Sequence, residues 1–179
     1  WDGLEVMPVV SDDLTLEDVQ LVYMIGDVTA TCDNFPASLT AGETLPAPDS
    51  GFVCATEPSE TVLDADGIWQ KKNGEDWGEV SGEIEAGATY RYKTTLKMDG
   101  ENTTCTLADA VTLKVNDISW TVDYDTMQNS KKTDAYVTVY SPEIVGTCVV
   151  SFAAGGGTGA MSDVKGVFGE YTLPACGFT

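Results

Sequence analysis

The chain has 179 residues, of which 29 are acidic and 9 basic, giving a net charge of −20, and it contains no histidine. Such a polyanion repels phosphate backbones and anionic membrane surfaces, and without histidine it cannot build a Ser-His-Asp triad, a Cys-His pair, a zincin helix or a histidine metal cluster. With 42% hydrophobic residues it can still bury a core, and its length suits one ordinary domain or two small ones.

The opening segment carries a Thr-x-x-Asp capping pattern at 15–18, yet Val19, Val22, Tyr23 and Ile25 are β-formers with poor helical spacing, so a strand is expected at 20–25. The longest apolar stretch, 21–25, is far too short to span a bilayer. Further strands are expected at 28–32, 51–56 and 67–71, while 34–49, with Pro36, Gly42, Pro46 and Pro48, reads as loop or edge. The clearest strand is 88–98. Ala88, Tyr90, Tyr92, Thr94, Leu96 and Met98 share one face, and Thr89, Arg91, Lys93, Thr95 and Lys97 share the other, with turn residues before and after. Strands follow at 110–115, 118–122 and 135–140. This spacing of short strands predicts an all-β antiparallel sandwich whose core includes Tyr90, Tyr92, Leu96, Val111, Leu113 and Trp120.

Five cysteines (Cys32, Cys54, Cys105, Cys148 and Cys176) lie at irregular separations without a CxxC pair, which gives zinc almost no support. Two disulfides with one spare thiol suit a secreted protein, and five free thiols suit an anaerobe's surface. The odd count and the apolar neighbours of Cys54 and Cys148 favour burial. The start at Trp1 and the stop at Thr179 lead us to expect a fragment of a larger protein.

Acidic clusters offer a calcium candidate. Asp64-Ala65-Asp66-Gly67 begins like a calcium loop, and Glu75 falls twelfth counting from Asp64, but Ile68 and Trp69 occupy the fifth and sixth places, where an oxygen ligand and Gly belong. Asp64, Asp66 and Glu75 are therefore the candidate ligands, a turn before a strand is the plainer reading, and no other cofactor is expected. A glycosidase needs only two suitably spaced carboxylates, and nothing marks a cleft around any such pair here. Trp69 and Trp120 read as core, whereas Trp77, among Glu75, Asp76, Gly78 and Glu79, is the candidate surface aromatic for stacking on a sugar ring. The glycine run 155–159 lacks the Lys-Ser/Thr and the helix of a P-loop and reads as a hairpin turn.

Two segments bear a family likeness. In 67–117, Trp69, the stretch Ile84-Glu85-Ala86-Gly87-Ala88-Thr89-Tyr90 and Val115-Asn116-Asp117 resemble the Ig-like repeats of Gram-positive cell-surface proteins, with Ile84 in place of an aromatic and Asp117 in place of Gly. In 149–179, Phe152, Gly156, Gly157, Gly159, Met161, Gly169, Tyr171, Leu173 and Pro174 resemble the first half of an internalin-type B repeat, a small β-grasp, with Gly155 for the family's Asn. The residues 1–19, with Trp1 and Asp13-Leu14-Thr15-Leu16, resemble its closing half.

The resemblances imply an Ig-like sandwich over 20–146 flanked by a closing half (1–19) and an opening half (147–179) of a split β-grasp. They imply a non-enzymatic extracellular or cell-wall module that is structural, adhesive or assembly-forming. Its partners would be itself or neighbouring surface domains, with no nucleic acid and no membrane insertion. Trp1, Leu14, Leu16, Phe152, Tyr171, Leu173 and Phe178 would make the contact between the two halves, either within one chain, where 1–19 folds back and closes a monomer, or between copies by strand complementation that propagates into a filament. The alternative is an ancillary carbohydrate-binding module of a secreted glycoside hydrolase, with a glycan as partner.

Overall fold

In the computed structural model, residues 23–47, 52–55, 61–63, 66–98, 105–128 and 135–179 are described. The described chain is all-β. Twelve strands form one curled mixed sheet, a half-barrel, and no helix occurs among the described residues. β7 (Thr89–Met98) is its axis, because the alternation that marks it in the sequence turns Tyr90, Tyr92, Thr94, Leu96 and Met98 inward and leaves the opposite residues half-exposed. One side of β7 pairs with β4 (Thr61–Leu63) and β5 (Ile68–Asn73), which forms a hairpin with β6 (Asp76–Val80). The other side pairs with β10 (Tyr136–Tyr140) and with the start of β11 (Ile144–Val150).

β9 (Ile118–Gln128) carries the curl. Its first residues pair with β8 (Cys105–Val115) and the following ones with β10, so one strand belongs to both halves of the sheet. Beyond β8 lie β1 (Tyr23–Thr31) and β3 (Val53–Cys54). The pairings of β1 with β8 and of β2 (Leu39–Thr40) with β11 are parallel, which corrects the expectation of a purely antiparallel arrangement. Parallel pairs join segments far apart in sequence, so no hairpin turn announces them. The expected strands at 20–25 and 28–32 are one strand from Tyr23 onwards, with a register shift between Ile25 and Asp27 that absorbs Gly26.

The β8–β9 turn shows how local chemistry fixes register. Asn116 (φ 50°) and Asp117 (φ 64°) are both left-handed, as a two-residue hairpin in a right-twisted sheet requires. The Asn116 side chain also accepts from Cys32 N–H (2.9 Å) and donates to Cys32 C=O (2.8 Å), extending the β1 ladder past its last strand residue. Replacing Asn116 with Ala forfeits both bonds and places a residue without an αL preference there. The expected cost is about 2–3 kcal/mol in urea unfolding, with Asn116→Gly costing less because its backbone is compatible.

The six core residues expected from the sequence, Trp120 among them, are all buried, as is Trp69. They meet side chains from the irregular segment 32–47. Phe35 lies 6.0 Å from Trp69, 6.0 Å from Tyr92 and 5.1 Å from Trp120, while Leu39 and Leu45 are buried beside it. Phe52 completes the cluster against Tyr92 and Trp120. The proline-rich stretch is thus the inner lid of the half-barrel. Backbone bonds Leu45 N–H to Gly82 C=O and Ile84 N–H to Glu43 C=O hold it.

None of the five cysteines forms a disulfide. Cys32 and Cys105 are the buried ones, whereas Cys54 and Cys148 are only half-buried and Cys176 is exposed. Burial pushes the Cys32 thiol above its ordinary value. Thiol titration without reductant should therefore find Cys176 reactive in the native protein and all five in denaturant. A denatured count short of five would reveal a disulfide.

Candidate functional site

Two surfaces stand out. The first lies on the outer face of the sheet, where β6, β5, β7 and β10 run side by side. Register sets Trp77 opposite Lys72, Gln70 opposite Arg91 and Lys93 opposite Tyr140. The Arg91 guanidinium lies between two rings, 4.2 Å from the centre of Trp77 and 3.8 Å from that of Tyr140. Its Nε donates to Gln70 Oε1 (2.8 Å), and Tyr140 donates its hydroxyl to Asp123 Oδ2 (3.2 Å). Lys72 sits 5.5 Å from Trp77 and pairs with Glu143 at 2.9 Å.

The result is a ladder of cation–π contacts that staples the β5–β6 hairpin to β10 across β7. Burial lowers the Arg91 pKa against the opposing fields of Tyr140, Glu143 and Asp123, and burial together with Asp123 raises that of Tyr140. Arg91 stays a cation and Tyr140 a neutral phenol at neutral pH. Trp77 is half-buried, with Arg91 and Lys72 over its ring, so it stands as a rung of this ladder rather than as a bare aromatic platform.

The second surface belongs to the C-terminal unit. β11 pairs in turn with β7, with β2 and with β12 (Val164–Val167), so it runs unbroken through the expected boundary at 146/147 and ties the unit to the sheet. The glycine-rich loop 151–163 is closed by the chain end, where Thr158 and Thr179 exchange backbone bonds of 2.7 and 2.9 Å and Gly177 N–H reaches Met161 Sδ at 3.3 Å.

Among the described residues β12 pairs only with β11, and its other edge has no strand partner. Beside it Phe168 is 61% exposed and Leu173 68%, with Tyr171 and Val149 also exposed. Phe152 and Phe178 are half-buried. The Phe168 ring lies against Gly87 (φ 77°), a position where a Cβ would collide with the ring. The turn before β7 thus seats Phe168 against the main sheet. Trp1, Leu14 and Leu16 lie outside the described residues.

Of the calcium candidates, Asp66 and Glu75 lie apart. Asp66 precedes β5 and Glu75 follows it, so the extended length of that strand, roughly 17 Å, lies between them. Asp64 lies outside the described residues. Among the described residues no group of three or more acidic or cysteine side chains is placed to hold a metal ion.

Sequence reasoning missed Arg91 and Tyr140 as neighbours of Trp77, and it missed Phe168. The outward parity of Arg91 was visible, but its ring partners depend on cross-strand register. The chain matches no protein-family model, no curated protein and no solved structure.

Proposed function

We propose that this chain is a non-enzymatic structural module of a bacterial surface protein, working outside the cell, and that it assembles by strand addition at its C-terminal unit. The open edge of β12 beside the exposed Phe168, Tyr171 and Leu173 carries this reading. An added strand would take up the N–H and C=O groups of that edge, which have no strand partner among the described residues, and its alternate side chains would cover the apolar row.

The donor we assign is the segment 1–19 of a second copy, with Leu14 and Leu16 on the covering face and Trp1 in the family's tryptophan place. Donor and acceptor are then different surfaces of one chain, so the contact is heterologous and propagates into a filament. The Ig-like reading of 20–146 belongs to the same proposal. It is supported by the passage of β9 between the two halves of the sheet and by Trp69 and Trp120 in the core. The split β-grasp and the surface location rest on the resemblances of 1–19 and 149–179.

Sedimentation velocity over a range of concentrations tests the reading. The native chain should form growing oligomers, and a Tyr171→Asp/Leu173→Asp variant, which leaves the Phe168 ring on Gly87, should remain monomeric with an unchanged melting midpoint. Oligomers that persist in the variant would place the contact elsewhere.

A further inference from the structure

β8 and β9 stay together over three residue pairs, Val115 with Ile118, Lys114 with Ser119 and Leu113 with Trp120. Beyond Trp120, β9 leaves for β10, where Thr121 and Val122 face Tyr140 and Val139, while β8 stays beside β1. The sheet therefore forks, and an open cavity of about 410 Å³ lies in the fork. That volume falls within the roughly 300–1,000 Å³ of small-ligand sites. Trp120 and Val122 give the cavity an apolar side, and Asp27, Thr112, Lys114 and Ser119 give it a polar one.

Tyr124 also lines the cavity and spans the fork. It is 49% exposed, and its hydroxyl donates to Val111 C=O at 2.8 Å, so an accessible ring is tied in place by its far end. Thr112 lies opposite Asp27 in the β1–β8 register and donates its hydroxyl to Asp27 Oδ1 at 2.7 Å, which holds the carboxylate at the cavity. Asp27 and Lys114 line the same space without forming an ion pair with each other. One aromatic ring, a carboxylate that only accepts, an ammonium that only donates and two hydroxyls that do both thus surround a single opening.

We propose that this fork binds a neutral hexose unit of a glycan. A pyranose presents a face of C–H groups and a rim of hydroxyls, each of which both donates and accepts. The Tyr124 ring covers the face, Asp27 accepts from the rim, Lys114 donates to it, and Thr112 and Ser119 do either. The chain's charge of −20 repels acidic polysaccharides, and one carboxylate beside one ammonium leaves the site with no net charge for an ionic ligand to neutralise. The ring of Trp77 is taken by Arg91 and Lys72, so the stacking role passes to Tyr124. None of the lining residues belongs to β11, β12 or the tail, so the site stands independently of strand addition.

Affinity electrophoresis of the full chain through gels containing a β-glucan, a mannan, a galactan or polygalacturonate tests the proposal. At least one neutral polysaccharide should retard the protein, with little effect of added salt, and polygalacturonate should not. Tyr124→Ala should weaken the interaction about tenfold or more. Asp27→Asn, which keeps an oxygen for the Thr112 hydroxyl, should weaken it with an unchanged melting midpoint. Trp77→Ala should leave it intact. The proposal is overturned if no neutral polysaccharide retards the chain, if polygalacturonate retards it equally, if Asp27→Asn binds as tightly as the native chain, or if a folded Trp77→Ala variant no longer binds.

Discussion

Replacing Trp69 with alanine is expected to cost about 3–5 kcal/mol, the range for truncating a large buried aromatic. Trp69 is buried on β5, sits edge-on to Tyr92 at 5.3 Å and stacks on Phe35 at 6.0 Å. Its indole N–H donates to Pro46 C=O at 2.6 Å, so one side chain joins the sheet to the proline-rich lid. Removing it opens a cavity and frees the lid together. Trp69→Phe keeps most of the apolar contact and loses only the hydrogen bond, so it should cost about 1–2 kcal/mol. Equal losses for Ala and Phe in chemical denaturation would show that the bond to Pro46, and not packing, dominates at this position.

Leu96→Ala is expected to cost about 2–5 kcal/mol. Leu96 is 0% exposed towards the end of β7, with Val137 of β10 opposite it and equally buried. Thr95, its neighbour, points outward, and Thr95→Ala should stay within about half a kcal/mol, as surface substitutions do. The contrast between adjacent positions makes the test specific. If Leu96→Ala is nearly silent and Thr95→Ala is costly, the two faces of β7 are reversed and both the core and the outer cation–aromatic face fall with it.

What could be read from the chain beforehand follows from where the information lies. β7 was legible because alternation, flanking turns and burial on one face all agree. β10 was legible for the same reasons at shorter length. β6 was not, since Asp76, Gly78 and Glu79 look like loop residues. They are the charges and small residue that protect an edge strand from further pairing. The first part of β8 escaped because Cys105, Thr106 and Leu107 are all buried, which erases the alternation a half-buried strand would show. The reading of 34–49 as loop or edge agrees with its irregular backbone, but the inward side chains of the lid escaped it. Prolines argued rightly against a central strand in 34–49 but said nothing about whether Phe35, Leu39 and Leu45 would turn inward.

The candidate surfaces divide in the same way. Of the residues that the internalin-type resemblance placed on an assembly face, Tyr171 and Leu173 are exposed and Phe152 and Phe178 are half-buried. The ladder of Trp77, Arg91 and Tyr140 joins three strands, and only the register of β5, β6, β7 and β10 brings the rings to the guanidinium. Sequence alone left Trp77 an isolated aromatic among acids and left Asp66 and Glu75 looking like neighbours. The length of β5 separates those two carboxylates, and its hairpin with β6 puts Trp77 beside Lys72.

Strand addition is tested most directly by removing the donor. Size-exclusion chromatography with light scattering, together with negative-stain microscopy, should be run on the intact chain and on one lacking residues 1–19. If 1–19 completes the β12 edge of the next copy, the intact chain forms filaments or concentration-dependent oligomers and the shortened chain is a monomer, while the intact chain added to it restores mixed assemblies. If the two chains have the same size, melting midpoint and appearance at every concentration, the β12 edge receives no strand from 1–19 and the assembly reading is wrong.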